Sequence, residues 1–275
     1  MLNILKVFIL TIMHNLLSRA LNASIRAGEA ILNIYENDFV VDYKLDKSPL
    51  TEADKAADKV IHKILGDKIP IISEEMKASP YSDRKDWKLC WLVDPLDGTK
   101  EFIKKNGEFT VNIALIEDGI PVLGVVYLPV TKELYIGSRE LESCLIKVSP
   151  DDDISQVEKK IENARLLKEN EFPNVYTVVA SRSHMSEETQ QFIQSCEIKH
   201  GEVNLVSKGS SIKLCLVAAR KAHVYPRIAP TMEWDTAAAH AVAKFAGCKV
   251  LDYITREELQ YNKKNLLNPY FIVTH

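Results

Sequence analysis

Apolar positions along the chain change their spacing several times, and each change marks an element. Across residues 14–35, Leu17, Ala20, Ala27, Ile31 and Ile34 recur at helical intervals, the stripe of an amphipathic helix. A second helix is predicted over 51–65, with Ala53, Ala57, Ile61 and Ile64 on its apolar side. Pro49 precedes it, and Thr51 with Asp54 supplies a Thr-x-x-Asp capping box. A short strand at 70–73 runs into Glu74-Glu75, and the polar stretch 76–88, broken by Pro80, reads as a loop.

Strands then crowd together. An apolar run at 89–93 stops at Asp94, and further strands are predicted at 109–117, 122–128 and 133–137. Asp118-Gly119 and Pro129 are the turn signals between them, which predicts an antiparallel meander. The charged stretch 151–174 reads as a solvated connection between two domains, 14–148 and 149–275. Beyond it helix and strand alternate: a strand at 175–180, helix 186–196, helix 210–220, strand 222–225, helix 233–246 and strand 270–274. That order predicts an α/β class with a second layer system.

The first thirteen residues are nearly all apolar, with Lys6 the only charge. The run is too short to span a bilayer and lacks a good signal-cleavage site. It reads as extra helix or as sequence upstream of a start at Met13. Contact with the inner face of a membrane stays open as an alternative.

Composition narrows the class. The 275 residues are 46% hydrophobic and 27% charged, the balance of a globular protein large enough for two domains. Five scattered cysteines, none in a CxxC pair, point away from disulfides and zinc and toward a reducing, cytoplasmic setting. A net charge of −3 gives no field for a nucleic acid polymer.

Candidate chemistry gathers at Asp94-Pro95-Leu96-Asp97-Gly98-Thr99, directly after a strand. Pro95 restricts both itself and Asp94, and Gly98 permits tight curvature. Two carboxylates so close repel unless a cation lies between them, and hard oxygen ligands suit Mg²⁺. The N–H groups of Gly98 and Thr99 fall where a phosphate can be cradled. Each acid nonetheless has an ordinary explanation when taken singly: an Asx turn for Asp94, a capping box for Asp54, a helix-dipole contact for Asp235.

Taken together and in this order, Trp91-Leu92-Val93-Asp94-Pro95-Leu96-Asp97-Gly98-Thr99 and Trp234-Asp235-Thr236-Ala237-Ala238 resemble the inositol monophosphatase superfamily. These are Mg²⁺-dependent, lithium-sensitive phosphatases. The resemblance covers the chain from about residue 14. It implies a sugar-phosphatase fold of α-β-α-β-α layers, with an antiparallel sheet in the N-terminal half and a smaller sheet in the C-terminal half. It also implies two or three Mg²⁺ ions on Glu74, Asp94, the carbonyl of Leu96, Asp97 and Asp235, and a water-activating pair, Asp54 and Thr99.

Ser181-Arg182-Ser183-His184, Gly209-Ser210-Ser211-Ile212-Lys213 and Pro226-Arg227 through Pro230-Thr231-Met232-Glu233-Trp234-Asp235 are similar to the CysQ-type 3'(2'),5'-bisphosphate nucleotidase branch. Ala229 departs from it, standing where many relatives carry Gly. The branch implies hydrolysis of a small nucleotide bisphosphate, 3'-phosphoadenosine 5'-phosphate, to AMP and phosphate. Substrate contacts would come from Gly98, Thr99, Ser181, His184, Ser210, Lys213, Arg227 and Asp235. An inositol or other sugar-phosphate phosphatase is the alternative within the superfamily, and a silent binding protein the alternative outside catalysis.

Overall fold

The computed structural model describes residues 2–37, 41–43, 49–149, 151–180 and 186–275. Helix α1 (Leu2–Tyr35) is followed by a small ribbon, β1 (Val41–Tyr43) with β2 (Pro49–Thr51), and by α2 (Glu52–Leu65). Next come β3 (Ile71–Ser73), α3 (Tyr81–Arg84), β4 (Leu89–Asp97), α4 (Thr99–Ile103), β5 (Thr110–Glu117), β6 (Ile120–Leu128), β7 (Glu133–Ser138) and β8 (Glu142–Lys147). The six strands β3 to β8 form one sheet in sequence order. Its pairings are antiparallel except β3 with β4, which are parallel.

The second half contributes α5 (Ile154–Glu162), β9 (Tyr176–Ala180), α6 (Glu187–His200), β10 (Val203–Ser207), α7 (Ile212–Ala218), β11 (Val224–Arg227), α8 (Glu233–Phe245), β12 (Lys249–Asp252) and β13 (Phe271–Thr274). A five-stranded sheet runs in the order β10-β9-β11-β13-β12.

Alternation along the strands builds the layers. On β4, Trp91 and Val93 face the core beneath α1 and α2, whereas Cys90 and Leu92 face α7, α8 and the second sheet. The same split separates Val111, Ile113 and Leu115 from Ala114 and Ile116 on β5. Both faces are covered, so the strands read as nearly unbroken apolar runs. Val178, Val224 and Ile272 pack with Cys196 of α6 on the far side of the second sheet. The layers therefore alternate α-β-α-β-α.

One close approach fixes α8. Gly124 and Gly137 stand opposite one another in the β6–β7 register, with Ala114 opposite Gly124 on β5. A Cβ at 124 would lie 2.1 Å from the Ala238 carbonyl oxygen, and one at 137 would lie 2.6 Å from the Cα of Val242. This row of small residues is a groove in which the backbone of α8 rests directly on the sheet.

The structure corrects several sequence expectations. Helix α1 starts at Leu2 where the apolar stripe placed it at 14, in keeping with the reading of the apolar start as extra helix, and among the described residues no helix is long and apolar enough to cross a membrane. The 76–88 segment contains α3, whose Arg84 is buried. The 151–174 stretch is not merely solvated: α5 is capped by Asp153 with Gln156 and buries Val157 and Ile161 against the first core. Strands β8, β10 and β12 are additional. Each is short, and β10 buries none of its five residues. Cys90, Cys144, Cys196, Cys215 and Cys248 are all buried and unpaired.

Candidate active site

Strand β4 does not stop at Asp94. Asp94 pairs with Asn112 but Asp97 with Thr110, so β4 carries one extra residue between them. In a regular strand residues three apart face opposite sides, and a one-residue bulge brings them to the same side. Pro95, which has no N–H to give to the ladder, sits within that bulge. Asp94 Oδ1 accepts the Leu96 N–H at 3.1 Å, which tightens the turn. Gly98 then adopts φ 97°, ψ 39°, where a side chain is strained, and Thr99 opens α4.

Three other elements converge on this bulge. Parallel pairing of β3 with β4 places Ser73 beside Val93, and Glu74 N–H donates to the Val93 carbonyl at 3.2 Å. Asp235 lies in the first turn of α8, where its Oδ2 accepts the Met232 N–H at 2.9 Å. One carboxylate oxygen each from Glu74, Asp94 and Asp235 falls within 4.8 Å of the others. Helix α2 brings Asp54, whose Oδ2 accepts both the N–H and the hydroxyl of Thr51 at 2.7 Å. Its other oxygen faces the Thr99 hydroxyl at 3.4 Å. The capping role and the contact to Thr99 thus use different oxygens of one carboxylate.

The electrostatics of the site favour positive charge. Burial raises Asp94 well above the ordinary carboxylate range, and Glu74, Asp97, Asp235 and Asp54 add to it. Burial likewise raises Asp235, with Asp97 as the first contributing charge. Asp97 is pushed up to about 6 by burial, although Lys213 and the Ser211 N–H oppose the shift. Clustered, dehydrated carboxylates are costly unless a cation compensates them, and an all-oxygen donor set suits a hard divalent ion. The residues present fit such an ion.

Asp97 stands beside the three-carboxylate group rather than within it. Its Oδ2 accepts the Ser211 N–H at 2.6 Å and the Asn112 Nδ2 at 3.3 Å. Ser211 in turn donates its hydroxyl to Asn112 Oδ1 at 2.8 Å, and Thr110 Oγ1 lies 2.9 Å from Ser211 Oγ. Two N–H groups of the 209–213 segment are engaged within the protein. The Gly209 N–H goes to Glu108 Oε2 at 3.0 Å and the Ser211 N–H to Asp97, and α7 itself starts at Ile212.

Beside the carboxylates opens a cleft of about 180 Å³, whose walls include Gly98, Lys100, Lys104, Ser210, Lys213, Arg227 and Asp235. Lys213 is buried, with its ammonium on the Ser210 carbonyl at 2.6 Å and the Lys208 carbonyl at 3.3 Å. Burial lowers its pKa to about 8 against the pull of Asp97. The Arg227 guanidinium donates to the Pro230 carbonyl at 2.9 Å, and its Nε is buried without a hydrogen-bond partner among the described residues. Ser181 and His184 fall in 181–185, outside the described residues.

Sequence reasoning missed Thr110, Asn112, Lys100, Lys104, Glu108 and Lys208. The first two had a signal: polar residues two apart at the start of an apolar strand, both buried. The lysines carried none, because a cleft wall and a solvated face look alike in sequence.

A family model for the inositol monophosphatase family matches residues 13–272. The chain belongs to the inositol monophosphatase family. Among its relatives, a Salmonella typhimurium protein named 3'(2'),5'-bisphosphate nucleotidase CysQ is 45% identical over 257 residues, 90% of this chain and 95% of that protein. The Escherichia coli K12 protein of the same name is 43% identical over the same shares. The crystal structure of CysQ from Bacteroides thetaiotaomicron, a bacterial member of the inositol monophosphatase family, superposes with a TM-score of 0.84 at 48% identity. It covers 93% of this chain and 95% of its own. An inositol monophosphatase from Anabaena shares the fold at 23% identity and a TM-score of 0.67, covering 95% and 91%.

Proposed function

We propose that this chain is a Mg²⁺-dependent phosphomonoesterase that hydrolyses 3'-phosphoadenosine 5'-phosphate to AMP and phosphate. The observation that carries this reading is the juxtaposition of Glu74, Asp94 and Asp235, within 4.8 Å of each other, with a cleft walled by Lys213 and Arg227. The relatives named as bisphosphate nucleotidases at 43–45% identity support the choice of ester.

In this reading Glu74, Asp94, Asp97, Asp235 and the Leu96 carbonyl hold the ions. Bound magnesium supplies charge compensation and Lewis acidity at the phosphoryl group. Thr99 and Asp54 handle the proton of the attacking water. The Thr99 hydroxyl donates toward Asp54 Oδ1, which leaves its lone pair to accept from water and makes Asp54 the final acceptor. Lys213 and Arg227 take the second phosphate, and the unpartnered Arg227 Nε gives that side chain a donor still to satisfy. The 14–148 segment then carries the metal-binding groups, apart from Asp235, and 149–275 carries most substrate contacts.

Phosphate release from 3'-phosphoadenosine 5'-phosphate and from inositol 1-phosphate, measured side by side with Mg²⁺ and with a chelator, tests the proposal. The bisphosphate is expected to turn over faster, only with metal, and to be inhibited by lithium. A hundredfold preference for the inositol ester would instead assign a sugar-phosphate phosphatase.

A further inference from the structure

Glu233 is an acid with no exposed surface, two residues before Asp235 in the first turn of α8. Two residues along an α-helix is a rotation of about 200°, so the two side chains leave the helix on opposite sides. Asp235 enters the carboxylate cluster, whereas Glu233 points away into the 260–265 loop. There its Oε2 accepts the Asn262 N–H at 2.6 Å, and its Oε1 accepts the Lys263 N–H at 3.1 Å and the Lys263 ammonium.

The loop that receives Glu233 is itself held. The buried Arg84 guanidinium donates to Asn262 Oδ1 at 2.8 Å and to the carbonyls of Lys263 and Lys264 at 2.6 and 3.0 Å. Asn262 Nδ2 returns a bond to the Arg84 carbonyl at 2.7 Å. Asn262 adopts φ 59°, a left-handed conformation that this set of bonds maintains. The knot therefore ties the segment after Glu74 to the start of the helix that bears Asp235.

Its mechanical purpose follows from the repulsion in the cluster. Three carboxylates within 4.8 Å push one another apart until a cation arrives, and the first turn of a helix is easily displaced. The Asp235–Met232 bond fixes the side chain only relative to its own helix. Something must hold the helix end from behind. We propose that Glu233, clamped by Asn262 and Lys263, is a positioning residue that keeps Asp235 in metal-binding geometry before the ion binds. This rests on the metal-dependent reading above.

The test uses the full chain stripped of metal and then titrated with Mg²⁺ alone, following both calorimetric affinity and the metal-induced rise in unfolding temperature. In Glu233→Gln an amide N–H₂ replaces one acceptor where only donors face it. Mg²⁺ affinity is expected to fall about tenfold or more, the scale for residues that support a ligand from behind. The metal-induced rise in unfolding temperature should shrink with it, while KM for the phosphate ester at saturating Mg²⁺ stays within about twofold. Lys263→Met, which leaves both backbone donors on Glu233, should give a smaller loss of the same kind.

A purely structural role would lower the metal-free unfolding temperature and leave the Mg²⁺ increment and affinity unchanged; that result overturns the proposal. Should Glu233→Gln not fold, an unaltered Mg²⁺ affinity in Lys263→Met overturns it equally. An unmodified chain that does not respond to Mg²⁺ overturns both this inference and the proposed function. A normal response in the unmodified chain that persists in the variants overturns only the positioning role.

Discussion

The backbone N–H of Ser211 donates to Asp97 Oδ2 across 2.6 Å, joining residues 114 positions apart. The bond links the bulged end of β4 to the loop that opens α7, and so ties the carboxylate wall of the cleft to the wall that bears Lys213. Asn112 completes it by touching both partners.

Replacing Asp97 should therefore remove two things at once, a negative charge of the site and the link between its walls. Asp97→Ala is expected to lower phosphate release by more than roughly 100-fold, beyond what residues that only support a ligand usually cost. Steady-state kinetics over a range of Mg²⁺ concentrations checks this. Near-normal turnover would place the metal site elsewhere.

Asp94→Asn separates stability from activity. Asp94 is fully buried and raised in pKa by burial and by four neighbouring acids, so the neutral amide relieves repulsion in the metal-free fold. The metal-free unfolding temperature should rise while activity is lost. Scanning calorimetry in chelator and an activity assay read the two effects separately.

Arg227→Met and Lys213→Met address the ester. Each removes a charged donor that is worth about 1.5–3 kcal/mol when hydrogen-bonded, or roughly 10–150-fold in binding. KM for the adenosine bisphosphate should rise on that scale, with much less change for an ester carrying a single phosphate. Equal losses on both esters would show that these cations do not read the second phosphate.

Gly124→Ala tests how the fold aims the site. A Cβ 2.1 Å from the Ala238 carbonyl forces α8 off the sheet, at a cost of about 1–3 kcal/mol. Asp235 rides on that helix, so activity should fall although position 124 does not line the cleft. Denaturant melts paired with Mg²⁺ affinity measure both losses.

Acid lability should come partly from the far side of α8. Buried His240 is held below its ordinary pKa by burial, and Glu258 is lowered to about 2, first by its bond to His240. Glu258 Oε1 lies 3.2 Å from His240 Nε2, which assigns the proton there and leaves Nδ1 to accept from Tyr261 at 2.9 Å. Both folded pKa values lie below the unfolded ones. Their stabilisation is thus present above the unfolded values and lost as pH falls, for Glu258 between about 4.5 and 2. Glu258 is 40% exposed, so solvent screening keeps its share modest. Unfolding midpoints of Glu258→Gln should depend less steeply on pH across that window than those of the unmodified chain.

Much of the site is legible in the sequence because its pieces are local. The Thr51–Asp54 box, the Asp94–Thr99 turn and Asp235 in a first helical turn each rest on bonds that span two or three residues. The α5 helix is not legible in the same way, because only Val157 and Ile161 of its nine residues are buried, too few to make a stripe. Thr110 and Asn112 stand out as polar interruptions, but nothing local says that they face Ser211.

The sequence by itself determined the class of layers and the local geometry of each acid, since period-two and helical spacing and short-range caps act within a few residues. The family resemblance implied that Glu74, Asp94 and Asp235 share a site, and the tertiary structure decided how they meet. That convergence depends on a parallel β3–β4 pairing, a one-residue bulge and a row of small residues that lets α8 lie on the sheet. It also decided that the Ser211 N–H serves Asp97. Such contacts are set by the packing of whole layers against one another, and no spacing along the chain records them.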